Sequence, residues 1–255
     1  MKICRFEYNN RVQYGEIKND LIFPIDETQS RNENNGFKKS SEPVKLADVK
    51  ILSPVSPSKI VCVGRNYSEH AKELGNEVPK EPLLFLKAPS AIICNREDII
   101  LPKQSRQVEH EGELAVVIGR DCKNLADSDD PFEWVKGYIC LNDVTARDIQ
   151  RKEIQFTRAK SFDTFCPVSS FIETDLDVSD IRITTKVNGV IKQDGRTSQM
   201  VFPVSFLIRY ISNQMTLNAG DIIATGTPSG VSKLNAGDVC EIEIEGIGVL
   251  RNKVE

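Results

Sequence analysis

Histidine is scarce in this chain: its 255 residues hold two, one of them His70. Cysteine is present but unpaired in pattern. Seven cysteines are scattered singly with no CxxC among them, which argues against a disulfide framework or a zinc site and fits reduced thiols. No apolar run approaches the length of a membrane span. The opening MKICRFEYNN lacks the apolar stretch and small-residue cleavage site of a secretory leader. Excess positive charge is missing too. The net charge of −4 provides no electrostatic footprint for nucleic acid or anionic membrane. A soluble, cytoplasmic protein is expected.

What is present suffices for a large core. Hydrophobic residues make up 40% of the chain and charged residues 27%, ordinary values for a globular protein. Residues 1–56 are expected to form a small N-terminal β domain of short alternating pieces, such as KICRFEY and IFPID. Polar turns at NN, ND and NENNG break them. SPVSPS marks the boundary, and residues 57–255 form the second domain. Strand-like runs dominate there: LLFLK (83–87), AIIC (91–94), DIILP (98–102), ELAVVIG (113–119), GYICLND (137–143), RITTKV (182–187), DIIATG (221–226) and DVCEIEIEG (238–246). Asn188-Gly189 is the dipeptide a type I′ hairpin favours. Helices are predicted over 66–74, 145–155 and 203–214. LNAGD occurs at 217–221 and again at 234–238, each time before a strand, a shared turn device rather than a solenoid repeat. The fold class read from this pattern is β-rich, mixed α+β.

VEHEGELAVVIG (108–119) holds a conflict. Leu114 to Ile118 is apolar throughout, as in a strand buried on both faces, yet Glu109, Glu111 and Glu113 lead into it. Strand alternation puts the three acids on one face with Ala115 and Val117. Either that acidic half lies at a solvated sheet edge, or a divalent cation neutralises buried carboxylates; Mg2+, Mn2+ and Ca2+ all take oxygen ligands. Asp143, beside Arg147 and Asp148, supplies a third acid unless it caps a helix. In GRNYSEHAKELG (64–75), a helix over 67–74 brings His70 and Glu73 side by side, with Asn66 capping its start and Gly75 its end. The pair is either an exposed dyad or a general base on a mobile lid. Lys160, in RAKSFDTFCPV (158–168), is a solvated lysine or a point charge facing an anion. ATGTPSGV (224–231) is a tight turn or a carboxylate-binding loop.

Taken in order, GRNYSEHAKE, FLKAPSA, HEGELAVVIG, GYICLNDVTARDIQ, AKSFDTFCPV, VNGVIKQDG and GDIIATGTPSGV resemble the fumarylacetoacetate hydrolase family. The resemblance covers about residues 59–251; residues 1–56 look like the variable N-terminal domain of such proteins. It implies a mixed β-sandwich roll, usually a homodimer, that binds Mg2+ or Mn2+, with Ca2+ a further candidate. It also implies small-molecule 2-oxo acid substrates, with no nucleic-acid or membrane partner. The family's metal ligands map onto Glu111, Glu113 and Asp143, leaving Glu109 outside the set. His70 and Glu73 match the water-activating dyad of the acylpyruvase-like branch, and Lys160 a catalytic charge. Arg147, Gln150 and Thr227 match substrate-contacting positions. Lys87 is grouped with them, near the metal carboxylates.

Two departures narrow the branch. Fumarylacetoacetate hydrolase proper has a further metal-binding aspartate where this chain has Val63, and its histidine is partnered by a distant glutamate rather than a local one. The chain therefore resembles the acylpyruvases, oxaloacetate decarboxylases and tautomerases, and hydroxyheptadienedioate isomerases. Acylpyruvase-type hydrolysis of a C–C bond, through a metal-bound enolate, is the first expectation. Decarboxylation or tautomerisation of oxaloacetate and isomerisation of 2-hydroxyhepta-2,4-diene-1,7-dioate are the alternatives, and a catalytically idle 2-oxo acid and metal binder is the non-enzymatic one.

Overall fold

β-Branched and apolar runs form strands here because their side chains suit a pleated, half-buried surface. The protein is seen in a computed structural model that describes residues 1–25 and 42–255; the predicted NENNG turn lies outside the described residues. The first strands are β1 (Lys2–Tyr8), β2 (Arg11–Lys18), β3 (Leu21–Ile25), β4 (Val44–Lys45) and β5 (Lys50–Leu52). β6 (Ile60–Gly64) leads into α1 (Ser68–Glu73), followed by β7 (Leu83–Lys87) and β8 (Ile92–Cys94). The acidic region holds β9 (Val108–Glu109), β10 (Gly112–Ile118), β11 (Val135–Asn142) and β12 (Thr145–Ala146). Two single-turn helices, α2 (Arg147–Gln150) and α3 (Thr157–Lys160), precede β13 (Cys166–Val168) and β14 (Phe171–Glu173). Last come β15 (Arg182–Val187), β16 (Val190–Arg196), α4 (Val204–Gln214), β17 (Ile222–Ala224), β18 (Val239–Ile244) and β19 (Gly248–Lys253).

Among the described residues, 13 strands join one mixed sheet. β10 pairs antiparallel with β11 on one side and with β17 on the other, and β17 runs parallel to β6. Four strands in the order β16-β15-β18-β19 make a second sheet. Ala115 and Val117 of β10 pack with Ile60, Cys62, Ile139 and Leu141 in one core. Leu114, Val116 and Ile118 face another, where α4 contributes Leu207, Ile208 and Ile211 and the second sheet Ile183, Ile242 and Ile244. The unbroken apolar run therefore means what it usually means, a strand covered on both faces.

Strands β1 to β5 enclose a small cluster of Cys4, Phe6 and Ile22 and join the large sheet where Lys2 pairs with Glu173. The turn between β15 and β16 has positive φ at Asn188 (+52°) and Gly189 (+77°), as a type I′ turn requires. Two expectations fail. DIILP is not a strand of the sheet: Ile99 only bridges to Val254, because its N–H and C=O pair with Lys253 O and Glu255 N. The helix expected over 145–155 shrinks to α2, because Thr145 and Ala146 are drawn into a ladder with Glu109 and Val108. All seven cysteines are free and buried; burial pushes the thiols of Cys140, Cys166 and Cys240 up to about 12. No helix among the described residues is long and apolar enough to cross a membrane.

Candidate active site

Strand register delivers the acids. Gly112 of β10 lies opposite Asn142 of β11, so Glu111, just before one strand, faces Asp143, just after the other. Asp143 N–H donates to Glu111 O at 2.9 Å, and alternation returns Glu113 to the side of Glu111. The carboxylate oxygens of Glu111, Glu113 and Asp143 lie within 4.8 Å of one another, and all three residues are buried. Of the two readings open for the acidic run, the structure shows the buried cluster.

Counter-charges surround it unevenly. Lys160 Nζ donates to Glu111 Oε2 (2.7 Å) and Asp143 Oδ2 (2.6 Å). Arg147 donates through Nε to Glu109 Oε2 at 2.7 Å, through Nη2 to Glu111, and through Nη1 to Gln150 Oε1 at 2.5 Å. Glu109 is thus spent on Arg147 and stands outside the cluster. Lys87 Nζ reaches Asp143 Oδ1 at 2.7 Å and Val144 O at 3.2 Å. Glu113 meets no cation directly; among the described residues its carboxyl accepts only from Gly226 N–H, at 2.9 Å.

Among the described residues, four buried carboxylates therefore face three buried cations. Burial, joined by repulsion from Asp143 and Glu111, pushes the Glu113 carboxyl well above its ordinary range. Burial works upward on Glu111 as well, but Lys160 and Arg147 outweigh it and hold that group low. A hard divalent cation fits this donor set, because three oxygens converge and one negative charge is left uncompensated. Glu111, Glu113 and Asp143 are the residues that could hold it.

The cluster opens onto a cavity of 430 Å3, which His70, Glu73, Arg147, Gln150, Lys160 and Thr227 also line. Every site residue that the family resemblance implied is at this wall except Lys87, which supports Asp143 from outside the lining. Phe85 and Phe156 meet edge to face across 5.5 Å, and Lys160 Nζ sits 5.1 Å from the Phe85 ring. On α1, His70 Nδ1 is 3.2 Å from Glu73 Oε2; His70 is buried and Glu73 exposed, so the imidazole lies inward and its carboxylate partner at the surface. Glu73 Oε1 accepts from Gly230 N–H at 3.0 Å, which ties α1 to the 226–231 loop. Gly75 ends the helix with φ +69°. Asn66 does not cap it. Its Nδ2 donates to Phe202 O (3.0 Å) and Thr225 O (2.8 Å), and its Oδ1 accepts from Phe202 N–H (2.8 Å), so buried backbone groups outcompete the cap position.

Sequence reasoning missed a second buried network. His110 Nδ1 lies 3.1 Å from Gln193 Oε1 and its Nε2 lies 2.9 Å from Ser232 Oγ. Gln193 Oε1 also accepts from Gly112 N–H at 3.0 Å, while its Nε2 donates to Thr227 Oγ1 and Pro228 O, both at 2.7 Å. With the amide oriented this way, Nδ1 of His110 donates and Nε2 accepts from the serine hydroxyl. Thr227 Oγ1 passes its single proton to Gly112 O at 2.8 Å, so it has none left for an anion. The only signal in the sequence was the rarity of histidine.

Residues 59–255 match the family described as fumarylacetoacetate (FAA) hydrolase, C-terminal, and residues 1–54 one described as Rv2993c-like, N-terminal. The mitochondrial oxaloacetate decarboxylase of Dictyostelium discoideum is 45% identical over 196 residues, covering 74% of this chain and 89% of that one. Oxaloacetate tautomerase YisK of Bacillus subtilis is 40% identical over 225 residues, covering 82% and 74%. The crystal structure of 2-hydroxyhepta-2,4-diene-1,7-dioate isomerase from Mycobacterium marinum is similar at a TM-score of 0.88 and 39% identity, covering 100% and 98%.

Proposed function

Because the chain belongs to the fumarylacetoacetate hydrolase family, we propose that it is a divalent-metal-dependent enzyme that decarboxylates or tautomerises small 2-oxo acids of the oxaloacetate kind. The observation that carries this reading is the meeting of Glu111, Glu113 and Asp143 within 4.8 Å, with Glu113 lacking a cation, in the cavity that holds His70 and Glu73. The relatives named for decarboxylase, tautomerase and isomerase activities support the alternatives read from the sequence more than its first expectation, acylpyruvase hydrolysis.

Mg2+ or Mn2+ held by Glu111, Glu113 and Asp143 would supply Lewis-acid polarisation of the 2-oxo group. The chain's own groups handle the protons and the remaining charge. His70 turns Nδ1 to Glu73, which leaves Nε2 for proton transfer and favours the tautomer in which Nδ1 carries the hydrogen. In tautomerisation Nε2 takes a C3 proton, the C3–H electron pair enters the enolate, and the proton returns to the enolate oxygen. In decarboxylation the C3–C4 bond breaks, its electron pair enters the enolate as CO2 leaves, and C3 takes a proton that reaches it from water through Nε2 of His70. Lys160 spends two N–H groups on Glu111 and Asp143; an ammonium has three, and the third can face the developing oxyanion.

Oxaloacetate offered to the purified protein with Mg2+ or Mn2+ tests the reading. Chelator-sensitive release of CO2, or keto–enol interconversion, is expected well above the rate with the ion alone. Turnover of acetylpyruvate without turnover of oxaloacetate would restore the hydrolase reading, and turnover of neither would refute both.

A further inference from the structure

We propose that Arg65 is a specificity-determining residue that reads the distal carboxylate of a dicarboxylic acid bound in the cavity. The proposal rests on the 2-oxo acid reading of that cavity and adds what its far end recognises.

The cations at the cavity wall are not equivalent. Arg147 and Lys160 are committed to Glu109, Glu111 and Asp143. Arg151 is exposed and donates to Gln107 Oε1 at 3.2 Å. Arg65 lines the same cavity half-buried, and among the described residues its side chain has no hydrogen bond or ion pair. Its five N–H donors and full charge meet only solvent, so they are free to take an anionic group of a ligand in the cavity.

Its backbone is unusual as well. Arg65 has φ +58°, a left-handed conformation that arginine seldom adopts and that persists only when the surroundings impose it. The neighbouring Asn66 imposes it. Besides its three side-chain hydrogen bonds to Phe202 and Thr225, its carbonyl accepts from Val201 N–H at 2.8 Å. The turn is pinned at Asn66, and the residue before it presents an unused guanidinium at the cavity.

Position selects the end of the ligand. The acids gather on β10 and β11, whereas Arg65 follows β6, which is separated from β10 by β17. Two strand spacings are about 10 Å. A short acid anchored at its 2-oxo end beside Glu111, Glu113 and Asp143 would direct its other end toward Arg65, whose long side chain covers the remaining distance. A carboxylate there can take the guanidinium fork in a bidentate pair. A methyl group in its place leaves the arginine unpaired, and sites built for a polar partner reject such analogues strongly.

Binding separates this proposal from catalysis. L-Malate and (S)-2-hydroxybutyrate differ by a distal carboxylate exchanged for methyl, and neither carries the 2-oxo group that turnover needs. Titration calorimetry in Mg2+ is expected to show wild type binding malate about tenfold more tightly or better. Arg65→Asn removes the charge and tolerates the left-handed turn; it should bring the two affinities within about twofold by weakening malate alone, as expected when one charge-assisted contact is lost. Arg65→Lys should recover part of the difference, and Arg151→Gln should keep it whole. Equal affinity of wild type for the two acids, binding of neither, equal weakening of both in Arg65→Asn, or loss of the preference in Arg151→Gln would each overturn the proposal. Malate preference in a protein that fails to turn over oxaloacetate would sink the catalytic reading and leave the role of Arg65 standing.

Discussion

Glu113 carries a buried carboxyl that no cation among the described residues touches, whereas Asp143 sits between Lys87 and Lys160. Replacing each by its amide should therefore move stability in opposite directions when divalent ions are chelated away. Glu113→Gln removes the uncompensated acid and should leave the melting temperature unchanged or raised. Asp143→Asn leaves the buried Lys87 ammonium without a carboxylate and Lys160 with Glu111 alone, a change that costs about 3 kcal/mol or more when one partner of a buried pair is removed. Both should abolish the stabilisation that Mg2+ or Mn2+ gives wild type. Differential scanning fluorimetry with and without the ion checks all four values, and equal destabilisation of the two variants would contradict the charge count. At His70 the division concerns chemistry. His70→Ala should cut hydrolysis of an acylpyruvate, which needs an activated water, by about a hundredfold or more, and should spare decarboxylation more; steady-state rates on both acids with Mg2+ decide it. These residues were legible in the sequence because their relations are local: Glu111 and Glu113 alternate along one strand, and His70 and Glu73 lie one helical turn apart. His110 and Gln193 were not, because 83 residues separate them and neither has a local pattern that points to the other.

The two LNAGD turns show how one element recurs with unequal weight. In both, the aspartate accepts from the asparagine N–H at 2.8 Å, and the glycine takes positive φ, +89° at Gly220 and +91° at Gly237. Asp221, however, is fully buried and also accepts from Ser58 N–H (2.9 Å), Ser58 Oγ (2.7 Å) and Lys59 N–H (3.1 Å), besides the Lys59 ammonium. Asp238 is half-buried and adds mainly Asn188 Nδ2 at 2.8 Å. Asp221→Ala should cost about 3 kcal/mol because it removes a buried carboxylate that gathers donors from Ser58, Lys59 and Asn218, and Asp238→Ala about 1 kcal/mol; urea midpoints of the two variants measure the difference, and equal costs would refute the account. The turn was visible in the sequence, but its burial was not. The same limit explains the helices. α4 followed its apolar spacing, whereas the start of the 145–155 pattern yielded to the ladder of Thr145 and Ala146 with Glu109 and Val108. Propensity is a weak prior against such contacts.

Across the whole molecule, the two sheets are joined at the site by the His110–Gln193 network, so that junction should govern how the fold responds to acid. Gly112 belongs to the same seam: a Cβ there would come within 2.2 Å of Thr185 Oγ1 of β15, so the second sheet rests directly against β10. Burial lowers His110 from 6.5 to about 4, although Gln193 and the carboxylates of Glu111 and Glu109 work the other way. Above pH 6.5 the imidazole is neutral in both folded and unfolded chains, and its contribution to stability is fully present. Between pH 6.5 and about 4 the unfolded chain accepts a proton that the folded chain refuses, so stability falls as pH falls. At about 1.4 kcal/mol per pKa unit the whole loss is on the order of 3 kcal/mol. Chemical denaturation at steps from pH 7 to pH 4.5 should show this decline in wild type. His110→Asn can still donate to Gln193 but no longer titrates; it should start lower at pH 7, having lost the Ser232 contact, and then fall less steeply. A slope unchanged by that substitution would place the acid-sensitive group elsewhere and detach the junction of the sheets from the pH response.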